Sequence, residues 1–268
     1  GYSISASVLA GEGDAMQRDY DWHSARHWAD LEPFEAIGRR AGERAVARLH
    51  PGTISSGRMP VLFDPRVAGS LVGHLVSAMS GGAIARKRSF LLDHAGERLF
   101  PAEIAIDEDP LRLRGLRSHA VDSEGVATRA APLVADGVIR DWLCDAAAAR
   151  QLGCQPTGHA SGGGISTGNL TLRPGTLARD ALIADIREGV LVTEMIGQGV
   201  DLITGDYSRG AAGWRIVDGA IAGPVAGFTI AGNLRDMFAD LRAANDLDTR
   251  HATHVPTLRT DSMTVAGA

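Results

Sequence analysis

Glycine constrains this chain more than any other residue: 33 of its 268 residues are glycine, about 12% against about 7% in an average protein. Glycine supplies the left-handed backbone that tight turns need. Only 5% of the residues are aromatic, so the chain offers few rings on which nucleic-acid bases could stack. These proportions predict many tight turns and a cleft lined with exposed backbone.

The first part of the sequence predicts a hairpin followed by a helix. Residues 2–9 alternate between polar and apolar side chains, a glycine-rich turn follows, and residues 16–22 predict a second strand. Residues 33–49 have the spacing of an amphipathic helix, which Pro51-Gly52 ends. The stretch 51–58 is the best candidate for a linker. A hairpin that opens so abruptly suggests that a partner element is missing or is supplied elsewhere.

The next segment predicts a strand followed by a capped helix. A short apolar strand at 60–63 precedes Asp64-Pro65, which is typical of a helix start. We expect this helix to run roughly to Met79 and to be ended by Gly81-Gly82.

Strands predominate in the rest of the chain. Asp136-Gly137 and Asp218-Gly219 predict hairpin turns, the second of type I′. Helices are predicted at 146–152, 176–188 and 234–243. This order favours an α+β fold, with a curved and mainly antiparallel sheet packed by helices, over a regular βαβ alternation.

Charge and hydropathy exclude several classes of protein. The net charge is −5 without a long run of either sign, so a nucleic-acid-binding surface is not indicated. No stretch approaches the length and apolarity of a membrane span. No signal peptide is visible, and Cys144 and Cys154 form no CxxC motif. We therefore expect a cytoplasmic protein without a membrane partner.

The histidines do not have the spacing of a zinc site. None of the nine lies in an HExxH or HExxxH motif. His23 and His27 are four residues apart, and His251 and His254 are three apart, but their surroundings carry no helix that would present them together. We expect these four to be surface histidines.

One segment matches the pattern of a nucleophilic serine. Gly164–Gly168 reads GxSxG around Ser166, but that motif requires a strand before the serine and a helix after it. Here glycines precede Ser166 and a strand-like segment follows, which favours a flexible loop. The loop also lacks the lysine of a P-loop, although a backbone nest for an anion stays open.

The densest polar cluster is the segment 204–210. Its residues Asp206, Tyr207 and Arg209 could line a polar cleft or form a turn with internal hydrogen bonds. His74 stands in an otherwise apolar helix, where a core histidine is more common than a ligand. These residues alone do not name a reaction.

Several segments together resemble the PmbA (TldE) branch of the TldD/PmbA family, in family order across essentially the whole chain. They are MQRDY, GHLVSAMSGG, RKRSFLLD, DSEGVATR, TGHASGG, LVTEMIGQGVDLITGDYSRGAAG, IAGNLRDMF and MTVAG. The resemblance covers the later part of a family member. It implies that residues 1–55, the hairpin plus helix, are a remnant of the family's middle domain and that residues 58–268 are its C-terminal domain.

The resemblance implies a subunit of a cytoplasmic metallopeptidase that acts on unfolded or short peptides, in proteolysis and in the maturation of microcin-type peptides. In this family, a TldD-type subunit carries zinc through an HExxxH helix and a later cysteine. The PmbA-type subunit pairs with it and helps to enclose the substrate cleft.

This chain departs from the zinc motif. Alignment with the family places Gly73 and His74 where the first His-Glu would lie, Ala78 where the second His would lie, and Val255 near the cysteine position. Glycine and alanine cannot ligate zinc. The resemblance therefore implies a non-catalytic subunit that binds no cofactor, with zinc in the partner subunit.

We therefore expect this chain to shape the cleft for extended peptides, in a heterodimer with a TldD-type HExxxH subunit or in a homodimer. The alternative is a stand-alone peptide-binding or scaffolding homo-oligomer without catalysis, and a serine hydrolase using Ser166 is the weakest hypothesis. No catalytic residue and no metal ligand is expected in this chain, and the expected cleft residues are His74, His159, Asn169, Asp206, Tyr207 and Arg209.

Overall fold

The computed structural model describes residues 1–92 and 94–267. Asp93, which ends the RKRSFLLD segment, and Ala268 lie outside the described residues. The predicted opening hairpin is confirmed: strand β1 (Tyr2–Ala10) pairs antiparallel with strand β2 (Gln17–Ala25). Helix α1 (Phe34–Ala47) buries Ile37, Ala41 and Ala45 and packs against both strands.

The rest of the described chain alternates between short helices and strands. In chain order, its elements are β3 (Gly57–Phe63), α2 (Pro65–Ala78), α3 (Gly81–Ala85), β4 (Ile106–Asp109), β5 (Ala131–Ala135), β6 (Val138–Ile139), α4 (Ala146–Leu152), β7 (Ala160–Ser161), β8 (Gly164–Ile165), β9 (Asn169–Leu172), α5 (Arg179–Ile183), β10 (Glu188–Ile196), β11 (Asp206–Val217), β12 (Ala220–Asn233), α6 (Leu234–Ala239), β13 (Arg242–Ala243), β14 (Thr253–His254) and β15 (Leu258–Ala266).

The main sheet is curved into a closed ring. Its strand order is β12-β11-β10-β3-β15-β13, and an additional pairing of β12 with β15 closes five of these strands on themselves. The β10–β3 pairing is parallel and the other pairings of this sheet are antiparallel. Ring closure removes most of the free strand edges that a flat sheet would expose. The fold is therefore α+β with a curved, mainly antiparallel sheet, as predicted.

A second sheet has the order β14-β9-β4-β5-β6. Apolar side chains of this sheet, of α2, of α6 and of the closed ring belong to one buried cluster. Helix α2 contributes Leu71 and Leu75, each 1% exposed, to this cluster. Burial of this apolar face fixes α2 beside the ring, because each buried leucine contributes roughly 1.5–3 kcal/mol through transfer from water.

Local sequence signals account for several boundaries. The Asp64 carboxylate accepts a hydrogen bond from the Arg66 backbone N–H at 3.1 Å and so caps the start of α2. Asp218 and Gly219 both have positive φ, 46° and 77°, as the predicted type I′ turn requires. The prediction for Gly81-Gly82 is wrong, because α2 already ends at Ala78 and the two glycines begin α3.

Two other predicted helices are shorter than expected. The segment 176–188 forms only α5 (Arg179–Ile183), and strand β10 of the main sheet begins at Glu188. The segment 234–243 forms α6 (Leu234–Ala239), after which β13 pairs with β15. In the second segment strand pairing replaces the predicted helix at residues 242–243. No helix among the described residues is long and apolar enough to cross a membrane.

Candidate functional site

His74 and Tyr207 meet where helix α2 faces strand β11. Their ring centroids lie 6.0 Å apart with the planes at 75°, an edge-to-face arrangement. The Tyr207 hydroxyl lies 3.0 Å from the Met195 sulfur on the neighbouring strand β10. The histidine and the polar cluster that the sequence indicated separately are therefore parts of one site.

Strand alternation selects which members of the cluster face this site. Asp206 and Ser208 are exposed, whereas Tyr207 is 1% exposed and Arg209 is partly buried. Because side chains two residues apart share a face of a strand, Tyr207 and Arg209 lie on the same side of β11. His74 is half-buried at the margin of the apolar face of α2, between the exposed Gly73 and the buried Leu75.

Burial and the Arg209 charge determine the protonation states at this site. Burial lowers the pKa of His74, and the Arg209 guanidinium lowers it further. Burial raises the pKa of Tyr207 to about 12, although Arg209 acts in the opposite direction. At neutral pH the site therefore contains a neutral imidazole, a neutral phenol and one fixed positive charge.

Two polar atoms of this site are buried without hydrogen-bond partners among the described residues. They are His74 Nε2 and Arg209 Nε. An unpaired buried polar group costs about 1–3 kcal/mol, so both atoms are suited to pair with a ligand. An open groove of about 400 Å³ lies along β11, lined by 199–201 and 206–208, and Tyr207 belongs both to this lining and to the contact with His74. Tyr207 thus connects the open groove with the two unpaired atoms behind it.

Asp206 has a structural role in the turn before β11. Its carboxylate accepts hydrogen bonds from Thr204 Oγ1 at 2.8 Å and from Asn233 Nδ2 at 3.2 Å. Asn233 also accepts from the Arg235 backbone N–H and so caps α6. The sequence left open whether Asp206 lines a cleft or forms a turn with internal hydrogen bonds. The structure shows the internal hydrogen bonds, and Asp206 also lines the groove.

His159 lies in the second sheet region, separate from His74 and Arg209. Its Nε2 is 2.7 Å from Glu108 Oε2, and its Nδ1 is 2.8 Å from Thr157 Oγ1. The order hydroxyl, imidazole, carboxylate is that of a catalytic triad. However, Thr157 Oγ1 already accepts from the Cys144 backbone N–H at 2.7 Å, and the adjacent cavity is only about 30 Å³. That space holds about one water, so this arrangement is a structural bridge.

Asn169 is also apart from the His74 site and is 1% exposed. Its Nδ2 donates to the Asp109 carbonyl and to Ser118 Oγ at 2.8 and 2.9 Å, and its Oδ1 accepts from the Arg117 backbone N–H at 3.0 Å. These bonds fix the loop between β4 and β5. The structure thus brings together His74, Asp206, Tyr207 and Arg209 but neither His159 nor Asn169.

Zinc, which the family resemblance implies for the complex, does not fit the residues of α2. Ala78 is fully buried, and the 2%-exposed Val255 packs beside the same helix, 3.9 Å from where a Cβ on Gly69 would lie. His74 is then the one nitrogen donor of the family positions, and the Arg209 cation beside it disfavours a second cation. Within residues 1–92 and 94–267, no group of three or more His, Cys, Asp or Glu side chains could hold a metal ion.

The context of Ser166 is not that of a nucleophile elbow. Ser166 follows the two-residue strand β8, and strand β9 rather than a helix comes next. The predicted flexible loop is instead a small hairpin of β7 and β8, turned by Gly162 and Gly163 with φ of 53° and 93°.

The expectation of four surface histidines is wrong for three of them. His27 is exposed, but His23, His251 and His254 are partly buried around a cavity of about 340 Å³. Sequence reasoning missed this cavity because its walls come from segments far apart along the chain, namely 23–30, 112–116, Asn169 and 249–254. The available signals were the close spacing of His251 and His254 and the expected cleft residue Asn169, which lines the same cavity.

Comparisons with known proteins agree with the fold and the motifs. A family model described as the PmbA/TldA metallopeptidase C-terminal domain matches residues 56–267, and one described as the central domain matches residues 1–49. The solved structure of TldE from Thermococcus kodakarensis superposes with a TM-score of 0.85 at 22% identity, covering 99% of this chain and 62% of that one.

Curated relatives match over nearly the whole chain. Metalloprotease PmbA of Escherichia coli O157:H7 is 40% identical over 267 residues, and a PmbA homolog of Haemophilus influenzae is 39% identical over 268 residues. Each match covers 99% of this chain but 58% of the relative, so the chain spans somewhat more than half their length. The chain belongs to the PmbA/TldD metallopeptidase family, in its PmbA branch.

Proposed function

We propose that this chain is the PmbA-type, non-catalytic subunit of a two-subunit cytoplasmic peptidase that acts on unfolded or short peptides. A TldD-type partner with an HExxxH helix supplies the zinc chemistry, and this chain encloses part of the substrate cleft. In the same proposal, residues 1–55 and 58–268 are parts of two successive domains. The observation that carries it is the single neutral His74, set beside a cationic Arg209, at the family's zinc-helix position.

The groove beside β11 supports a role in holding a peptide. An extended peptide presents alternating N–H and C=O groups, and partners for both occur here. Arg209 Nε is a donor suited to a peptide carbonyl, and the unpaired Nε2 of neutral His74 donates or accepts according to its tautomer. These contacts would position a peptide without taking part in bond cleavage. His159 and Asn169 act in this proposal by fixing the loops of the second sheet.

Reconstitution with the partner tests the assignment. The untagged chain would be produced alone and together with the HExxxH-containing family member of the same genome. Light scattering would give the mass of the assembly. Mass spectrometry of a library of unfolded peptides would show which peptides are hydrolysed. We expect hydrolysis only from the mixed assembly. If no mixed assembly forms and this chain alone forms a homo-oligomer that binds peptides, the scaffolding alternative is favoured.

Two variants, one in the partner and one in this chain, show which subunit carries the catalytic role. Substitution of the glutamate in the partner's HExxxH motif should abolish hydrolysis while the assembly persists. In contrast, His74→Gln in this chain retains a polar side chain and should reduce turnover only partly. Complete loss with His74→Gln in a folded, zinc-loaded assembly would contradict the non-catalytic assignment.

A further inference from the structure

A cavity lined by several arginines lies away from the groove along β11. It has a volume of about 340 Å³ and is enclosed by the end of β2, the loop between β4 and β5, and the segment that leads into β14. Its walls thus combine residues 23–30 with residues 112–116 and 249–254. A ligand held here would contact both the opening hairpin region and the C-terminal half of the chain.

Arginine side chains dominate the charge of this cavity. Arg114 is paired with Asp30 at 2.8 Å, and Arg250 is paired with Asp21 at 3.1 Å. Arg26 instead donates to the backbone carbonyls of Gly115 and Ser118 at 3.1 and 3.2 Å, and no described carboxylate pairs with it.

Arg112 is also poorly compensated. Its nearest carboxylate oxygen, on Asp109, is 4.0 Å away, and one of its nitrogens donates to Thr171 Oγ1 at 2.9 Å. Arg26 and Arg112 thus place two largely uncompensated guanidinium charges on one cavity. Planar guanidinium groups pair with carboxylate and phosphate groups through parallel hydrogen bonds.

The histidines add neutral hydrogen-bonding groups. His251 lines the cavity and stacks on Trp22 with ring centroids 4.5 Å apart, and its Nε2 is buried without a partner among the described residues. His254 has both ring nitrogens 3.1 Å from Arg112 Nη1. Burial lowers the pKa of His251 and of His254, so both are neutral at pH 7 and the arginines alone set the positive charge.

We propose that this cavity binds a compact oxyanion, either a carboxylate or a phosphate group, through Arg26, Arg112 and the Nε2–H of His251. The two guanidinium groups supply the charge, and the orphaned imidazole nitrogen supplies a neutral donor. Because the walls come from distant segments, the bound anion joins them and stabilises the folded chain. This site is separate from the proposed peptide groove and does not depend on the zinc partner.

Calorimetric titration of the whole chain alone at pH 7 tests the proposal. The probes are inorganic phosphate, an acetylated dipeptide with a free carboxylate, and the same dipeptide as its C-terminal amide, at constant ionic strength. We expect saturable binding of phosphate, of the free carboxylate or of both, which identifies the source of the oxyanion, and a rise in melting temperature with ligand concentration. Equal binding of the amide and the free acid, without binding of phosphate, would overturn the proposal.

Variants separate the cavity from general surface charge. Arg112→Gln should weaken binding at least about tenfold, as expected for loss of a charge-assisted contact. Arg26→Ala provides a second variant, since Arg26 is exposed and its loss removes only two hydrogen bonds to backbone carbonyls. Arg173→Ala, at an exposed arginine paired with Asp107 outside the cavity, should bind like the unaltered chain. Unchanged affinity in both cavity variants would overturn the proposal.

Discussion

Arg250 holds Asp21 with two parallel hydrogen bonds: its Nη1 and Nη2 lie 3.1 Å from the two carboxylate oxygens. The two residues are 229 positions apart in the sequence. Asp21 is 1% exposed and also accepts from Arg40 Nε at 2.7 Å and from Arg44 Nη1 at 3.2 Å. This buried carboxylate therefore ties the opening hairpin, helix α1 and the segment before β14 together.

Removal of the Asp21 charge should strongly destabilise the chain. Asp21→Asn removes the carboxylate that three guanidinium groups share. Because Arg40 and Arg250 keep Glu32 as a second partner, we expect a loss of about 2–3 kcal/mol, the size that a carboxylate with a pKa lowered from 3.8 to about 2 contributes. Urea denaturation at pH 7 should show a loss of about this size. The control is Asp136→Asn, at an exposed pair with Arg140 at 3.5 Å, which should change stability by less than about 0.5 kcal/mol. Equal effects of the two would contradict the role given to Asp21.

The same carboxylate predicts an acid-side loss of stability. Burial opposes ionisation of Asp21, but hydrogen bonds from Arg250 and Arg40 outweigh it and lower the pKa from 3.8 to about 2. A lowered folded-state pKa gives stability that is present above pH 3.8 and is lost as the pH falls towards 2. Unfolding midpoints from pH 2 to 5 should show this loss, and Asp21→Asn should flatten it. An identical slope in the variant would exclude Asp21 as its source.

A separate pH effect should appear nearer neutrality. Burial lowers the folded-state pKa of His74, His251 and His254 from 6.5. The unfolded chain therefore binds protons first as the pH falls below 6.5, and stability should decline from there. His251→Gln should reduce this decline, whereas His27→Gln, at an exposed histidine, should not. Stability that rises between pH 7 and 5.5 would contradict the histidine assignment.

Neighbouring glycines at the start of α3 should respond differently to alanine. A Cβ on Gly81 would overlap the Cys144 sulfur and lie 3.2 Å from the Leu143 carbonyl oxygen, and such overpacking costs about 1–3 kcal/mol. A Cβ on Gly82 meets only the movable end of Arg86 at 3.4 Å. The melting temperature of the Gly81→Ala variant should be well below that of the Gly82→Ala variant. The opposite order would show that the α3–α4 contact is less close than described.

The two cysteines should differ in reactivity. Their sulfurs are 3.7 Å apart, but Cys144 is buried and Cys154 is exposed. Burial raises the pKa of Cys144 to about 12, so its reactive thiolate is scarce at pH 8. Iodoacetamide should alkylate Cys154 in the native chain and Cys144 only after denaturation, as read by peptide mass mapping. Equal native labelling would contradict the burial of Cys144.

Arg209 should matter for the activity of the reconstituted complex. Arg209→Ala removes the one fixed charge and an unpaired donor beside His74, so we expect a loss of about tenfold or more in kcat/KM, the worth of one charge-assisted hydrogen bond. The zinc content of the complex should stay unchanged. Arg173→Ala serves as the distant control. Unaltered peptide turnover in the Arg209 variant would remove it from the cleft.

Sequence patterns predicted the parts of this fold that short-range chemistry controls. The Asp64 cap, the Asp218-Gly219 turn and the apolar face of α1 are all local features, and each is present. The length of α5 was mispredicted, and strand β10, which pairs with β3 and β11 in long-range interactions, begins at residue 188. Closure of the main sheet through β12 and β15 is also long-range and left no local pattern.

The candidate site was predicted in the same uneven way. The polar segment of β11 and His74 were identified. The contact between the His74 and Tyr207 rings, whose centroids lie 6.0 Å apart, depends on how α2 packs on the closed ring of the main sheet. His159 and Asn169 have polar side chains in glycine-rich surroundings, as cleft residues do, yet both satisfy neighbouring backbone or side-chain groups. The basic cavity escaped notice because spacing within one segment cannot show that Arg26, Arg112 and His251 converge.

The zinc content of the untagged chain, measured by elemental analysis for the chain alone and for its complex with the proposed HExxxH partner, tests the central claim most directly. The account predicts close to zero zinc in the isolated chain, since no group of three metal-ligating side chains occurs among the described residues and the Arg209 charge lies beside His74. The assembled complex should contain zinc that disappears when the partner's motif is altered. Stoichiometric zinc in the isolated chain, lost on substitution of His74, would contradict the account.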